Sequence, residues 1–244
     1  MLIKYFALLL ALLLLAFFGY LAWDWTQTAE NIRSQQGPRD YVGSQPGGEG
    51  AAVRYVYGFP EPQISHQYST PQIEQMVWSS GNDVDLRYRI NGLTQAGYRA
   101  DSQYHCGGYK RWFRDEYVMW IDSMTVEFVY NTLTVYVTNA YPEGTCPYEQ
   151  VLAHEKQHVQ IHREVYQEYQ RQLQAKMALA TGLPTHSRPI TALNWEEGKE
   201  ALGKMINEVI NPVFEDFEME LSRRNGLLDS AENYEELKSR CSDW

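Results

Sequence analysis

The segment after Pro147 places the tightest constraint on the fold. From there to about Ala180, the apolar residues recur with the period of an α-helix and collect on one side at about 100° per residue. Four polar side chains fall among them on that side, namely His154, Glu155, His158 and His162. Because buried polar groups need partners, other parts of the chain must fold so that their side chains reach this face of the helix.

The chain before this helix has the pattern of a β-sheet. Apolar and polar residues alternate at 85–90, and β-branched and aromatic residues fill 125–130 and 134–138. We expect residues 131–133 to be a hairpin loop, which would make 134–138 an edge strand just before the helix. The sequence therefore predicts an α+β fold, with an antiparallel-rich sheet followed by a helical half.

The start of the chain contains a run long enough to cross a membrane. Residues 5–23 carry no charge and would span about 28 Å as a helix, close to the thickness of a bilayer core. Lys4 precedes the run and Asp24 is the first charge after it, so the positive-inside rule places the following residues outside the cytoplasm. A cleaved signal peptide is the alternative, but the run ends without a small-residue cleavage site. We predict a transmembrane signal anchor at residues 1–23, with the rest of the chain periplasmic or extracellular.

The remaining residues divide into a tether and one domain. Residues 24–52 are rich in Gly and Pro and poor in branched aliphatic residues, so we expect a flexible linker. Residues 53–244 are enough for one domain with a substantial core. Lys and Arg number 21 against 31 Asp and Glu, which gives a net charge of −10 and argues against nucleic acid as a partner.

The chain has three cysteines, Cys106, Cys146 and Cys241, and none of them forms a CxxC pair. In an oxidising compartment, either a Cys106–Cys146 bridge or a bridge through Cys241 is open. Three buried, reduced cysteines are the alternative. The sequence does not choose among these arrangements.

Residues 154–158 have the sequence His-Glu-Lys-Gln-His, which is an HExxH motif. Two His residues four positions apart lie on one face of a helix and can bind a single Zn²⁺. The intervening Glu155 projects from the same face, toward the position of a water molecule on the metal. Satisfied core histidines are the alternative interpretation.

The motif and its surroundings resemble the zincin metalloproteases over residues 134–169. Residues 152–158 and 228–234 are also similar to a group of secreted bacterial zinc-dependent proteases. The resemblance implies that His154 and His158 bind zinc, and that Glu155 is a general base and then a general acid in peptide-bond hydrolysis. Ile161 and Glu164 stand where metzincins have Gly and a third His, so the chain resembles gluzincins and aspzincins more.

That pattern implies a third ligand, usually a carboxylate, from a later helix. Residues 194–224 form a second helical region, with a break expected at residues 211–212, and Glu220 lies on its apolar side while Asp216 borders it. We predict Asp216 and Glu220 as the candidate ligands. Asp229 is a further candidate, but its spacing to Glu232 matches a capping box, so we assign it to a helix cap.

The sequence thus predicts a membrane-anchored, extracytoplasmic zinc metallopeptidase that hydrolyses protein or peptide substrates, with a zinc-activated water and Glu155 as general base. Two alternatives stay open. The first is a non-catalytic binding or assembly module, anchored in the membrane, with a structural metal or none. The second is a zinc hydrolase that cleaves peptidoglycan.

Overall fold

The computed structural model describes the backbone of residues 39–42 and, in full, residues 51–79, 89–111, 114–242 and 244. The predicted transmembrane anchor at 1–23 and most of the predicted linker at 24–52 lie outside these residues. Among the helices that are described, none is long and apolar enough to cross a bilayer.

Six strands and four helices make up the described part of the chain. The strands are β1 (Arg39–Val42), β2 (Ala52–Gly58), β3 (Gln63–Ser65), β4 (Gly92–Arg111), β5 (Glu116–Val137) and β6 (Ile190–Ala192). The helices are α1 (Thr70–Ser79), α2 (Cys146–Leu179), α3 (Trp195–Leu228) and α4 (Ala231–Ser239).

Strand β5 is the centre of the sheet. Strand β4 pairs with it antiparallel along the whole length of a long hairpin. Because β4 covers one edge of β5, the strands β6, β2 and β3 must follow one another along the opposite edge. The gap between β2 and β3 contains Pro60 and Pro62, which have no N–H to donate and so interrupt the pairing there. Strand β1 pairs with the outer side of β2.

The predicted antiparallel-rich sheet is wrong. Strands β2 and β3 both run parallel to β5, which makes the sheet mixed. Parallel neighbours need a crossover connection, and here the chain passes through α1 and β4 before it returns as β5. Alternation of apolar and polar residues marks a strand but contains no information about the direction of its neighbours.

The predicted hairpin loop at residues 131–133 is also wrong, because these residues lie inside β5. Gly97 pairs with Thr132 and Tyr98 with Tyr130, so Asn131 is the extra residue of a β-bulge. The hairpin instead joins β4 to β5. Residues 134–136 lie between β3 and β4 and are therefore not an edge strand.

Helices α2 and α3 pack on the sheet and on each other around an aromatic core. Phe128 of β5 meets Phe217 of α3 edge to face, with ring centroids 4.9 Å apart. The hydroxyl of Tyr166 on α2 donates to Phe128 O at 2.6 Å and accepts from Gly58 N at 2.8 Å. This fixes the position of α2, and hence of its inward face, against the centre of the sheet.

Helix α3 continues through Pro212, so the break expected at residues 211–212 does not occur. A proline inside a helix costs about 3 kcal/mol. The buried side chains of Ile210, Val213 and Phe217 on both sides of it offset this cost by packing into the core.

Of the pairings that the sequence left open, the structure contains a Cys146–Cys241 disulfide across 95 residues, and Cys106 is a free thiol. Cys146 is the first residue of α2, and Cys241 follows α4 closely. No residue of helix α4 is fully buried. The disulfide is therefore a direct tether between the start of α2 and the end of the chain.

Replacing both Cys146 and Cys241 by serine should lower the free energy of unfolding. The bond closes a 95-residue loop in the unfolded chain, and its loss should cost about 4–5 kcal/mol. Denaturant unfolding of the oxidised protein and the double variant measures the difference. The matched control, Cys106→Ser, should stay within about 1 kcal/mol of the parent. Equal unfolding midpoints for parent and double variant would contradict the prediction.

Candidate metal centre

Three side chains converge on one point beside α2. His154 Nε2 lies 3.1 Å from Asp229 Oδ1, His158 Nε2 lies 3.0 Å from the same oxygen, and the two nitrogens are 3.3 Å apart. A tetrahedral zinc site with bonds of 2.0–2.1 Å has neighbouring ligand atoms about 3.3–3.4 Å apart. The three atoms therefore outline one face of a tetrahedron close to the size that zinc requires.

The ends of two helices bring these residues together. His154 and His158 are one turn apart on α2, and both are buried. Asp229 is the C-cap of α3, and its backbone N–H donates to Asn225 O at 2.9 Å. The last turn of α3 thus holds the carboxylate at the two imidazoles.

Asn225 also orients one of the imidazoles. His158 Nδ1 lies 2.9 Å from Asn225 Oδ1, and because that oxygen can only accept, Nδ1 is the donor. A His that donates through one ring nitrogen presents the other one to a metal. This hydrogen bond therefore directs His158 Nε2 toward Asp229 and His154.

The charges of the cluster match a cation site. Burial opposes protonation of His158, but the hydrogen bond to Asp229 and the charges of Glu155 and Asp229 raise its pKa to about 9. Burial by itself would raise the pKa of Asp229, whereas the hydrogen bonds from both histidines hold it well below its usual range. Asp229 is thus ionised, and a bound cation would take the place of the proton on His158.

Glu155 lies beside this cluster, almost completely buried. Thr94 of β4 donates from Oγ1 to its Oε2 at 2.8 Å. Burial raises the pKa of Glu155, against the lowering effect of the neighbouring histidines. A carboxylate with a raised pKa is suited to accept and release a proton near neutral pH.

Tyr234 of α4 also contacts the cluster. Its hydroxyl donates to Asp229 Oδ1 at 3.3 Å, and its ring centroid is 5.5 Å from that of His154. Burial, and then the charge of Asp229, raise the pKa of Tyr234. The phenol is therefore a stable hydrogen-bond donor at the edge of the site.

The structure does not bring the two carboxylates predicted as ligands to the histidines. Asp216 is exposed on α3. Glu220 accepts from Arg223 Nε and Arg224 Nε, each at 2.6 Å, and these hydrogen bonds lower its pKa to about 2. Within the described residues, the only group of three that could hold a metal is His154, His158 and Asp229.

The capping assignment for Asp229 is wrong by one residue. Ser230 is the N-cap of α4, and its side chain accepts from Asn233 N at 3.4 Å. Asp229 is consequently free of capping at this helix, and its carboxylate turns to the histidines. The sequence signal for this cap is Ser230 itself, since serine is as good an N-cap residue as aspartate. The capping-box spacing of Asp229 and Glu232 drew attention away from it.

His162, the fourth inward-facing polar residue of α2, is not part of the cluster. Its Nδ1 lies 2.9 Å from the hydroxyl of Tyr130. Burial, and then the positive charge on His158, lower the pKa of His162 to about 4. The imidazole is therefore neutral and accepts the hydrogen bond from Tyr130.

Comparisons with known proteins found no match to this chain among protein-family models, curated proteins or solved structures.

Proposed function

We propose that the protein is a zinc-dependent peptidase in which His154, His158 and Asp229 hold the metal and Glu155 is the general base. The observation that carries this proposal is the triangle of ligand atoms, 3.0–3.3 Å on a side, next to a buried carboxylate. Two imidazoles and one carboxylate are a donor set that zinc takes in hydrolytic enzymes, with the fourth position left to water. The cleft beside Glu155 also reaches His154, which leaves room for that position.

A zinc ion held there would supply Lewis acidity, lowering the pKa of water to about 7 and polarising the peptide carbonyl. Glu155 would take the proton from the attacking water and pass it to the leaving amine. Thr94 holds Oε2, so Oε1 is the oxygen left for this transfer. Tyr234, a protonated donor at the edge of the site, would stabilise negative charge on the carbonyl oxygen.

An extracytoplasmic location is part of the proposal. Disulfides persist in oxidising compartments, and the Cys146–Cys241 bond supports such a location. The membrane anchor at residues 1–23 stays a prediction from the sequence. The partners proposed are a protein or peptide substrate and, through the anchor, a membrane, with no nucleic acid.

The test compares two substrates with the purified full-length chain in detergent. Denatured protein and purified peptidoglycan are incubated with zinc-loaded enzyme, with chelated enzyme, and with chelated enzyme to which zinc is restored. We expect cleavage of the protein, its loss on chelation and its recovery with zinc. Cleavage of peptidoglycan alone would point to the cell-wall hydrolase. Inactivity of the zinc-loaded chain on both substrates would favour the binding module.

A Gly92→Ala variant should impair the chemistry while leaving the metal in place. A Cβ at Gly92 would collide with Glu155 Oε1 and lie 2.7 Å from Val151 Cγ1, so the carboxylate must shift. A displacement of about 1 Å can cost about 10²-fold in rate, and we expect a loss of kcat of that order. Steady-state kinetics and zinc content are measured together.

The matched control is Gly182→Ala, where a Cβ would meet no atom within 4 Å. It should retain the parent activity. Parent-like kcat in Gly92→Ala would show that the position of Glu155 is unimportant.

A further inference from the structure

One wall of the cleft beside Glu155 is made by the end of the chain. We call this wall the C-terminal wall, and it consists of four residues, Tyr234, Leu237, Lys238 and Trp244. The cleft is also lined by Arg89 and Ile90, just before β4, and by Val151 on α2.

The C-terminal wall is fastened directly to the helix that carries the HExxH motif. No residue of helix α4 is fully buried, so packing alone holds it only weakly. Instead the Cys146–Cys241 bond links the chain after α4 to the first residue of α2. Arg240 Nη1 also donates to Gln150 Oε1 on α2 at 3.3 Å. These links hold the wall at a set place relative to Glu155.

The C-terminal wall presents apolar surface to the cleft. Trp244 and Leu237 face the same cleft as Ile90 and Val151. The ring of Trp244 lies edge-on to Tyr141, with centroids 5.7 Å apart, yet 37% of the residue is exposed. A partly exposed tryptophan held against a second ring offers a large contact area at low entropic cost.

The same cleft is lined by two cations, Arg89 and Lys238. Glu155 is the one acidic residue among the described residues that line it. This balance is the reverse of that of the whole chain, which has a net charge of −10. Lys238 Nζ also lies 3.8 Å from Glu235, an exposed pair of the kind that contributes little to stability. The cleft therefore favours a negatively charged group.

We infer that the C-terminal wall selects the substrate, a peptide with a large apolar side chain next to the scissile bond and a carboxylate within reach of Arg89 and Lys238. This inference rests on the proposed peptidase function. Trp244 and Leu237 contact the apolar side chain, and the two cations bind the carboxylate. The disulfide keeps the wall in position before the substrate arrives. The carboxylate is that of an acidic side chain or of the substrate's own C-terminus.

The test uses four peptides that combine Phe or Ala at one position with Glu or Lys at the next. With the zinc-loaded full-length chain, kcat/KM for the Phe–Glu peptide should exceed that of each singly altered peptide by about tenfold. Replacing Glu by Gln, or the terminal acid by an amide, then shows which carboxylate is bound. A loss of the preference on either change supports the inference.

Variants assign each preference to its residue. Trp244→Ala should lose the preference for Phe, and Lys238→Gln the preference for Glu, both through KM. The matched controls are Met219→Ala and Lys204→Gln, which are exposed on α3 and do not line this cleft. The Cys146→Ser/Cys241→Ser variant should weaken both preferences and keep its zinc.

Equal kcat/KM for all four peptides in the parent, or preferences unchanged in Trp244→Ala and Lys238→Gln, would overturn the inference and leave the peptidase function intact. Binding of the same peptides to a Glu155→Gln chain, measured by calorimetry, separates failure of this inference from failure of the proposed peptidase function. A binding preference for Phe–Glu without cleavage by the parent would contradict the peptidase function and support the selective wall.

Discussion

An Asp229→Ala variant is expected to lose its zinc, although the HExxH motif is intact. Asp229 Oδ1 lies 3.1 Å and 3.0 Å from the two histidine nitrogens and is the anionic member of the cluster. Because even residues that only orient ligands affect metal affinity by 10–100-fold, loss of a ligand should cost at least about 10²-fold. Elemental mass spectrometry of the purified full-length chain, after dialysis against a weak chelator, measures zinc per chain. The parent should retain about one.

The controls are the two carboxylates that sequence analysis favoured. Asp216→Ala and Glu220→Ala should keep the parent zinc content, whereas His158→Ala should lose it as Asp229→Ala does. Asn225→Ala should weaken zinc binding by about tenfold, because Asn225 orients His158. A folded parent chain that takes up no zinc when it is supplied would rule out the metal centre. Parent-like zinc content in Asp229→Ala would assign the third ligand elsewhere.

The second large effect is expected at Glu155. Its replacement by Gln should lower kcat by about 10²–10⁴-fold, the usual contribution of a general base, with zinc content unchanged. Glutamine keeps the size of the side chain and an oxygen that can accept from Thr94, but it cannot take up a proton. Steady-state peptide hydrolysis measures the loss.

Glu149→Gln is the matched control, since Glu149 is exposed in the first turn of the same helix. It should hydrolyse peptides at the parent rate. If Glu155→Gln were as active as the control, the general base would have to be another group, and the proposed mechanism would be wrong.

The part of the site that lies within one helix could be predicted from the sequence. His154, Glu155 and His158 are close in the chain, and the period of the helix placed them on its inward face, where all three are buried. Thr94 and Gly92, which hold and border Glu155, were not found, because they reach the site from β4 and have no motif of their own.

For the strands, too, the sequence predicted the local features but not the contacts between distant segments. The β-rich composition of residues 125–130 and 134–138 indicated strands, and both segments fall largely in β5. Asn131 suggested a turn because asparagine suits turns and bulges alike, and only the pairing with Gly97 and Tyr98 reveals the bulge. Strand direction depends on the path of the chain between partners, which the pattern of side chains does not record.

By itself, the sequence determined a long amphipathic helix with two histidines and a glutamate on its inward face, because helical periodicity is a local property. The tertiary structure alone brings Asp229 to the two histidines, pairs the cysteines and builds the wall of the cleft. Asp229 lies 75 residues from His154, and Cys241 lies 95 residues from Cys146. Such pairs meet where the end of α3 and the chain after it return to α2, and that return depends on how the helices pack on the sheet.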